Sequence, residues 1–402
     1  SQSNGKMPQV VNPYKRKRDE ANEKQRATKD SGCPFEEEDV PFEEDLVTYL
    51  ESYQYLTRQS WCSTSSTSKR FLSNKPMSWL QLIRQYDYSS AYAVLIPSVP
   101  GRHKDDSYHN FGYLKLRQAI IEWVCPHLQN SKQTTPQPIL CQFSSIGSLS
   151  EKWLNQFLSA VDSLSTQNID PINNNSGGRK GKDNQPPLSS RMKIIWPTTD
   201  EIRRSIEGYQ GGGSVPGTVK NLSKDFLQPL YHRWSSRNSR RSNSGCDPLK
   251  TARHIPHIKT YVQPSPPNAN GIEWLMLTSH NLSMAAWGQL QQRSDSYSAN
   301  EKVLFIRHWE LGVFISPATL AEMDPDGVGN DICMTPYPGI SSDSNAVINL
   351  DSDGEDEGEN ETPKVLVPLP FDMNPTPYDN HDIAWACDRS CSVPDACGCI
   401  MP

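Results

Sequence analysis

Apolar positions recur along this chain with two periods. From Phe42, "FEEDLVTYLESYQ" sets Leu46, Tyr49, Leu50 and Tyr53 at helical spacing, with acids in the first turn where the helix dipole favours them. "SWLQLIRQYDY", "GYLKLRQAIIEWV" and "EKWLNQFLSAVDSL" repeat that spacing, and "TDEIRRSIEGYQGGG" starts on a cap-like Thr-Asp and stops at glycines. Between them lie short apolar runs bounded by turn residues. "AYAVLIPSVPG" reads as a buried strand, "PILCQFSSIGS" as a strand entering a Ser/Gly loop, and "MKIIWPT" as a third strand. "HIPHIKTYVQPSP" and "IEWLMLTSHNLS" follow as two more strands, then a helix "SMAAWGQLQQ" and one long strand "KVLFIRHWELGVFISP". Strands alternating with helices predict an α/β layered core with a mixed sheet.

Polar, low-complexity stretches interrupt this alternation. Residues 1–40 read as a disordered tail, and disordered inserts are expected near 165–190, 236–250 and 340–364. The folded parts divide into a helical segment, 41–87, and a main domain, 88–402.

Composition narrows the picture. Of 402 residues 35% are apolar, and the net charge of -6 does not mark a general polyanion binder, although the acids are clustered and leave basic regions behind. No apolar run reaches the roughly 18–20 residues that span a bilayer, and the start of the chain has no apolar secretory core, so no membrane is expected. Ten cysteines without an export signal are expected as free thiols. Cys387, Cys391, Cys397 and Cys399 fit no trusted zinc-ligand spacing, and neither metal nor cofactor is expected. "YKRKRDE" at Tyr14–Glu20 is either a solvated charge run or a nuclear import signal.

The chemistry concentrates around one pair. His257 and Lys259 are i, i+2, so on a strand they share a face while Ile258 points into apolar packing. An imidazole that moves protons near neutral pH beside a fixed positive charge suits a phosphate. Asn281 closes the next strand just before a helix, where its carboxamide can donate to a phosphate oxygen. On spacing alone, a satisfied surface pair is the better reading.

The surrounding residues resolve the ambiguity. "IPHIKTYVQPSP…EWLMLTSHNLSMAAWG" closely resembles the second H-x-K…N motif of the tyrosyl-DNA phosphodiesterase family, within the phospholipase D superfamily. "IPSVPGR", "CQFSSIGSLSEKWL", "WPTTDEIRRSIEGYQGGGSVP", "RHWELGVFISP" and "VPLPFD" resemble further family blocks in the same order, over about residues 42–388.

The resemblance implies a phospholipase D-like α-β-α layered fold. It also implies hydrolysis of the 3′-phosphotyrosyl bonds that topoisomerase I leaves on DNA, in the nucleus, without a metal. His257 would then be the general acid and base, Lys259 and Asn281 would hold the nonbridging oxygens, and Glu310 would orient a catalytic histidine. Ser144, Ser145 and Ser148 would contact single-stranded DNA. The family's first H-x-K motif, source of the nucleophile, is not found here. His103 and Lys104 are adjacent and would point to opposite faces. The chain thus reads as the family's second half, with 41–87 a remnant of the first. A noncatalytic binding module, or a single-motif phosphodiesterase that dimerises, remain alternatives. "AVINLDSDGEDEGE" reads either as a SUMO-interacting strand through Val347, Ile348 and Leu350, or as a short buried strand before an acidic linker.

Overall fold

The structure, a computed structural model, describes residues 41–61, 83–128, 137–162, 186–234, 253–266, 271–292, 302–321, 332–337 and 363–402. The basic run at 14–20, the loop at 236–250 and the SUMO-type segment at 346–359 lie outside the described residues. The chain divides into two compact units, Ser1–Leu95 and Ile96–Pro402. In the first, α1 (Pro41–Trp61) covers the helical segment read from its periodicity, and Phe42 stacks on Tyr88 with ring centroids 5.7 Å apart.

The second unit is built on a seven-stranded sheet. In chain order its strands are β1 (Val94–Ser98, within which the unit boundary falls), β3 (Ile139–Gln142), β4 (Met192–Ile195), β5 (Tyr231–His232), β6 (Thr260–Pro264), β7 (Ile272–Thr278) and β10 (Glu310–Ile315). The spatial order is β1-β10-β7-β6-β3-β4-β5. β3, β4 and β5 run parallel, whereas β6, β7 and β10 are each antiparallel to their neighbour, so the sheet is mixed. A smaller sheet joins β2 (Gly101–His103), β9 (Lys302–Ile306) and β8 (Gln289–Gln292), and β11 (Cys333–Pro336) pairs with β12 (Lys364–Val367).

Strand alternation sends the two faces of the large sheet to different partners. One cross-strand row, Cys141–Tyr261–Met276–Phe314, faces the helices α2 (Gly112–Trp123) and α3 (Glu151–Val161). There Phe157 of α3 packs on Tyr113, Tyr261 and Trp287. The neighbouring row, Leu140–Val262–Leu275, packs with Trp234, Met334, Val367, Leu369 and Phe371 on the other side. The C-terminal segment closes over the β5 edge. Arg233 is paired with Asp379 and Asp382 at 2.7 and 2.6 Å, and Trp385 stacks on Tyr209.

Three elements depart from the periodicity reading, each at a local break. The helix expected from Thr199 stops at Arg203, ending α4 (Thr199–Arg203). Gly208 takes φ +57, and the Tyr209 amide donates to the Asp395 carboxylate instead of continuing the turn. The helix after Asn281 is a single turn, α5 (Met284–Trp287). Gly288 at φ +95 ends it, and Gln289–Gln292 become strand. The long strand from Lys302 divides at Arg307 and His308, whose amides both donate to the Ala285 carbonyl, so β9 and β10 belong to different sheets. The insert expected to reach Ser190 also ends earlier, because Leu188–Ser190 form a short 3-10 turn with Leu188 buried. The described cysteines are free thiols, and among the described residues no group of three or more His, Cys, Asp or Glu is arranged to hold a metal.

Candidate functional site

β6 starts only at Thr260, so His257 and Lys259 lie in the extended approach to the strand rather than within it. Their environments differ. His257 is exposed, while Lys259 is buried to 9% exposure. Its Nζ turns back and donates to the His257 carbonyl at 2.7 Å, which ties the two residues together. Ile258, expected in apolar packing, is 39% exposed, because the ladder that would bury it has not yet begun. Loss of hydration pulls the Lys259 pKa below its ordinary value, and the Glu310 carboxylate opposes that fall.

Glu310 opens β10 on the far side of β7 from Lys259. Burial pushes its pKa up, and three neighbours pull against burial: the Ser279 hydroxyl, the His308 ring and the Lys259 ammonium. His308 Nδ1 stands 3.8 Å from the carboxylate. The Ser279 hydroxyl also accepts from the Leu311 amide at 3.0 Å, so the end of β7 is fastened to the start of β10 at the carboxylate itself.

Asn281 lies three residues past the end of β7. Its Oδ1 accepts from the Ser144 and Ser145 amides at 3.2 and 2.9 Å and from the Ser144 hydroxyl at 3.4 Å. Two backbone N–H donors can only meet the oxygen of a carboxamide, so the side chain is oriented with its NH2 turned away from the serine loop as a donor. The loop is held against this segment by an Ile146–Leu282 bridge and by the Gly147 amide on the Leu282 carbonyl. Gly147 permits the approach, since a Cβ there would stand 2.8 Å from the Ser283 Cβ. Ser144 is buried and Ser145 half-buried. Ser148 is exposed and accepts from Lys224 Nζ at 3.2 Å, so it belongs to a lysine-bearing rim rather than to the Asn281 clamp.

Under Asn281 lies His280, fully buried and stacked on Trp287 at 4.3 Å. The Ser98 hydroxyl donates to the Ala286 carbonyl at 2.7 Å, so at 2.9 Å its oxygen receives the His280 Nε2–H. Nδ1 is then bare and accepts from the Thr278 hydroxyl. Burial pushes this ring's pKa down to about 3, which keeps it neutral. His103 is a packing residue: burial lowers its pKa, its Nε2 bonds the Val99 carbonyl at 2.7 Å, and its ring lies 4.3 Å from Phe111.

The structure therefore brings Lys259 and Glu310 together, with His257 tied to the lysine through its carbonyl, and it joins Asn281 to Ser144 and Ser145. Sequence reasoning passed over Ser279, His280, His308 and Lys224. His308 had a signal, since it stands i, i+2 from Glu310 in "RHWELG". The others had none short of knowing which turns the chain makes.

A family model described as "Tyrosyl-DNA phosphodiesterase" matches residues 19–379. Tyrosyl-DNA phosphodiesterase 1 of Arabidopsis thaliana is 31% identical over 333 residues, covering 79% of this chain and 47% of that protein. A probable tyrosyl-DNA phosphodiesterase of Caenorhabditis elegans is 28% identical, covering 89% of this chain and 59% of its own length. The chain spans about half the length of the curated relatives it matches. Among solved structures, the yeast tyrosyl-DNA phosphodiesterase superposes with a TM-score of 0.50 at 18% identity, over 88% of this chain and 67% of that one, and it shares the phospholipase D-like α/β fold. With a family match across most of its length and a relative above 30% identity, this chain belongs to the tyrosyl-DNA phosphodiesterase family.

Proposed function

We propose that this chain carries one acid/base half of a nuclear DNA-repair phosphodiesterase that hydrolyses 3′-phosphotyrosyl bonds left by topoisomerase I. This reading is supported by the placement, at one end of the paired strands β6 and β7, of an exposed His257, a buried Lys259 tied to the His257 carbonyl, and Asn281, whose carboxamide is oriented by the Ser144 and Ser145 amides. His257, the exposed member, gives its proton to the departing tyrosyl oxygen and later takes one from water. Lys259 and the Asn281 NH2 hold the nonbridging oxygens, where negative charge grows as the bond breaks. Because these donors are positioned beforehand, little reorganisation accompanies the reaction. Glu310 keeps Lys259 charged and orients an imidazole placed above it. The serine loop receives the single strand that ends at the scissile phosphate.

A covalent route needs a second histidine as nucleophile. The 402 residues contain a single H-x-K…N set, which also favours a second reading: a binding module that holds tyrosyl-ended DNA without turnover. The test is release of tyrosine from a labelled single-stranded oligonucleotide bearing a 3′-phosphotyrosine, with His257→Ala alongside. Release by the parent and none by the variant supports the half-site. Tight binding without release by either supports the module. Release in EDTA that His257→Ala does not diminish would overturn the assignment of His257.

A further inference from the structure

The small sheet carries a group the site does not use. Phe305 of β9 is half-buried, and two exposed arginines lie over its ring: the Arg102 guanidinium carbon is 4.8 Å from the centroid and that of Arg307 is 5.3 Å away. Arg102 sits directly opposite Phe305 in the register, and its Nη1 crosses β9 to donate to Gln291 Oε1 at 3.0 Å on the third strand. Arg307 is placed from the other side, because its amide is held by the Ala285 carbonyl of α5. Both cations thus lie over one aromatic ring, Arg102 also bonded to a neighbouring strand and Arg307 held at its backbone by α5. A guanidinium stacked on a ring keeps its N–H edges for oxygen acceptors, so the two cations over Phe305 offer donors that an anion can meet.

The position matters as much as the charge. Arg307 is followed by His308, the residue beside Glu310, so the strip begins next to the site and runs away from it across the small sheet. With their guanidinium carbons 4.8 and 5.3 Å from the same ring centroid, Arg102 and Arg307 are close enough to meet one phosphate or adjacent phosphates of a strand. We infer that Arg102, Phe305 and Arg307 form a phosphate-binding track for the single DNA strand whose end occupies the site. This rests on the phosphodiesterase reading for the identity of the strand. The track binds the backbone and carries no base readout, so its contribution is electrostatic and independent of sequence.

The experiment is fluorescence-anisotropy binding of an unmodified, labelled single-stranded DNA oligonucleotide to the 402-residue chain over a range of salt concentrations. Parent, Arg102→Gln, Arg307→Gln and the double variant are compared. Each arginine lost should flatten the slope of log affinity against log salt by about 0.7, and the double variant by about 1.4, whatever the base sequence. Phe305→Leu, which frees both guanidiniums from the ring, should weaken binding while leaving most of the slope. Thermal melts of the arginine variants should match the parent. Parent-like slopes and affinities in all three arginine variants would overturn the track, as would absence of DNA binding by the parent. The two readings fail separately. Tyrosine release that depends on His257 with unchanged slopes removes the track alone, whereas altered slopes without any release remove the phosphodiesterase reading alone.

Discussion

Two substitutions at Asn281 separate what this residue does for the fold from what it does for chemistry. Its Oδ1 is the acceptor for two backbone amides and a hydroxyl of the loop at Ser144, and Ser144 is only 2% exposed. Asn281→Ala removes that acceptor and leaves a buried amide without a partner. With about 1 kcal/mol per bond and a similar penalty for the orphaned donor, the loss of stability should be about 2–3 kcal/mol. Asn281→Asp keeps an oxygen where the amides need one and strengthens the bonds by its charge, so stability should stay within about 0.5 kcal/mol of the parent. The aspartate, however, has no N–H to offer a phosphate and adds a negative charge beside it. Losing one preorganised donor of this kind lowers turnover by about 10²–10³-fold. Urea unfolding followed by tryptophan fluorescence gives the first quantity, and single-turnover release of tyrosine the second. An alanine variant as stable as the parent would show that the clamp on the serine loop is not formed as described. An aspartate variant that retains turnover would refute the assignment of the NH2 as a phosphate donor.

The buried ring of His280 makes stability depend on pH. Its pKa is near 3 when folded and 6.5 ordinarily, so as pH falls the unfolded chain binds a proton first. Its contribution is whole above about 6.5 and is lost at up to about 1.4 kcal/mol per pH unit as pH falls towards 3, and His280→Gln should remove that part of the slope in urea titrations at several pH values. Glu310→Gln removes the charge that holds the Lys259 pKa up against burial. The ammonium should then be lost at lower pH, and the alkaline limb of the activity profile should move to lower pH. Gly147→Ala puts a Cβ 2.8 Å from that of Ser283, so it should push the serine loop off Asn281 and lower turnover more than it lowers the melting temperature.

Much of the fold was legible because its strands and its long helices obey their periods. The amphipathic stripe of "EKWLNQFLSAV" became α3, with Trp153, Leu154, Phe157 and Leu158 buried. Short elements were not legible where one residue overrides the pattern. Gly288 has a left-handed φ that periodicity does not register, and it turns an apparent helix into one turn followed by a strand. The division at Arg307 was hidden for a different reason. "KVLFIRHWELGVFI" is rich in β-branched and aromatic residues on both sides of Arg307, and the Ala285 carbonyl, a distant acceptor, breaks it into two strands of different sheets. At the site, the i, i+2 spacing found the pair His257 and Lys259 but missed that one is exposed and the other buried, since that depends on where β6 begins. The link from Asn281 to Ser144 spans 137 residues, and no local pattern encodes it.

That long link bears on the order of assembly. The approach to β6, the β6–β7 hairpin and the residues after it carry His257, Lys259, Ser279 and Asn281 within a short stretch, so their mutual placement can arise as soon as this hairpin closes. The acceptor of Asn281 has no use until β3 docks against β6, a pairing that joins parts of the chain more than a hundred residues apart and is slow for that reason. On a ribosome the serine loop would emerge first and wait. Refolding followed by two probes should therefore separate, with the tryptophan environment of β7 recovering before the oligonucleotide-binding site.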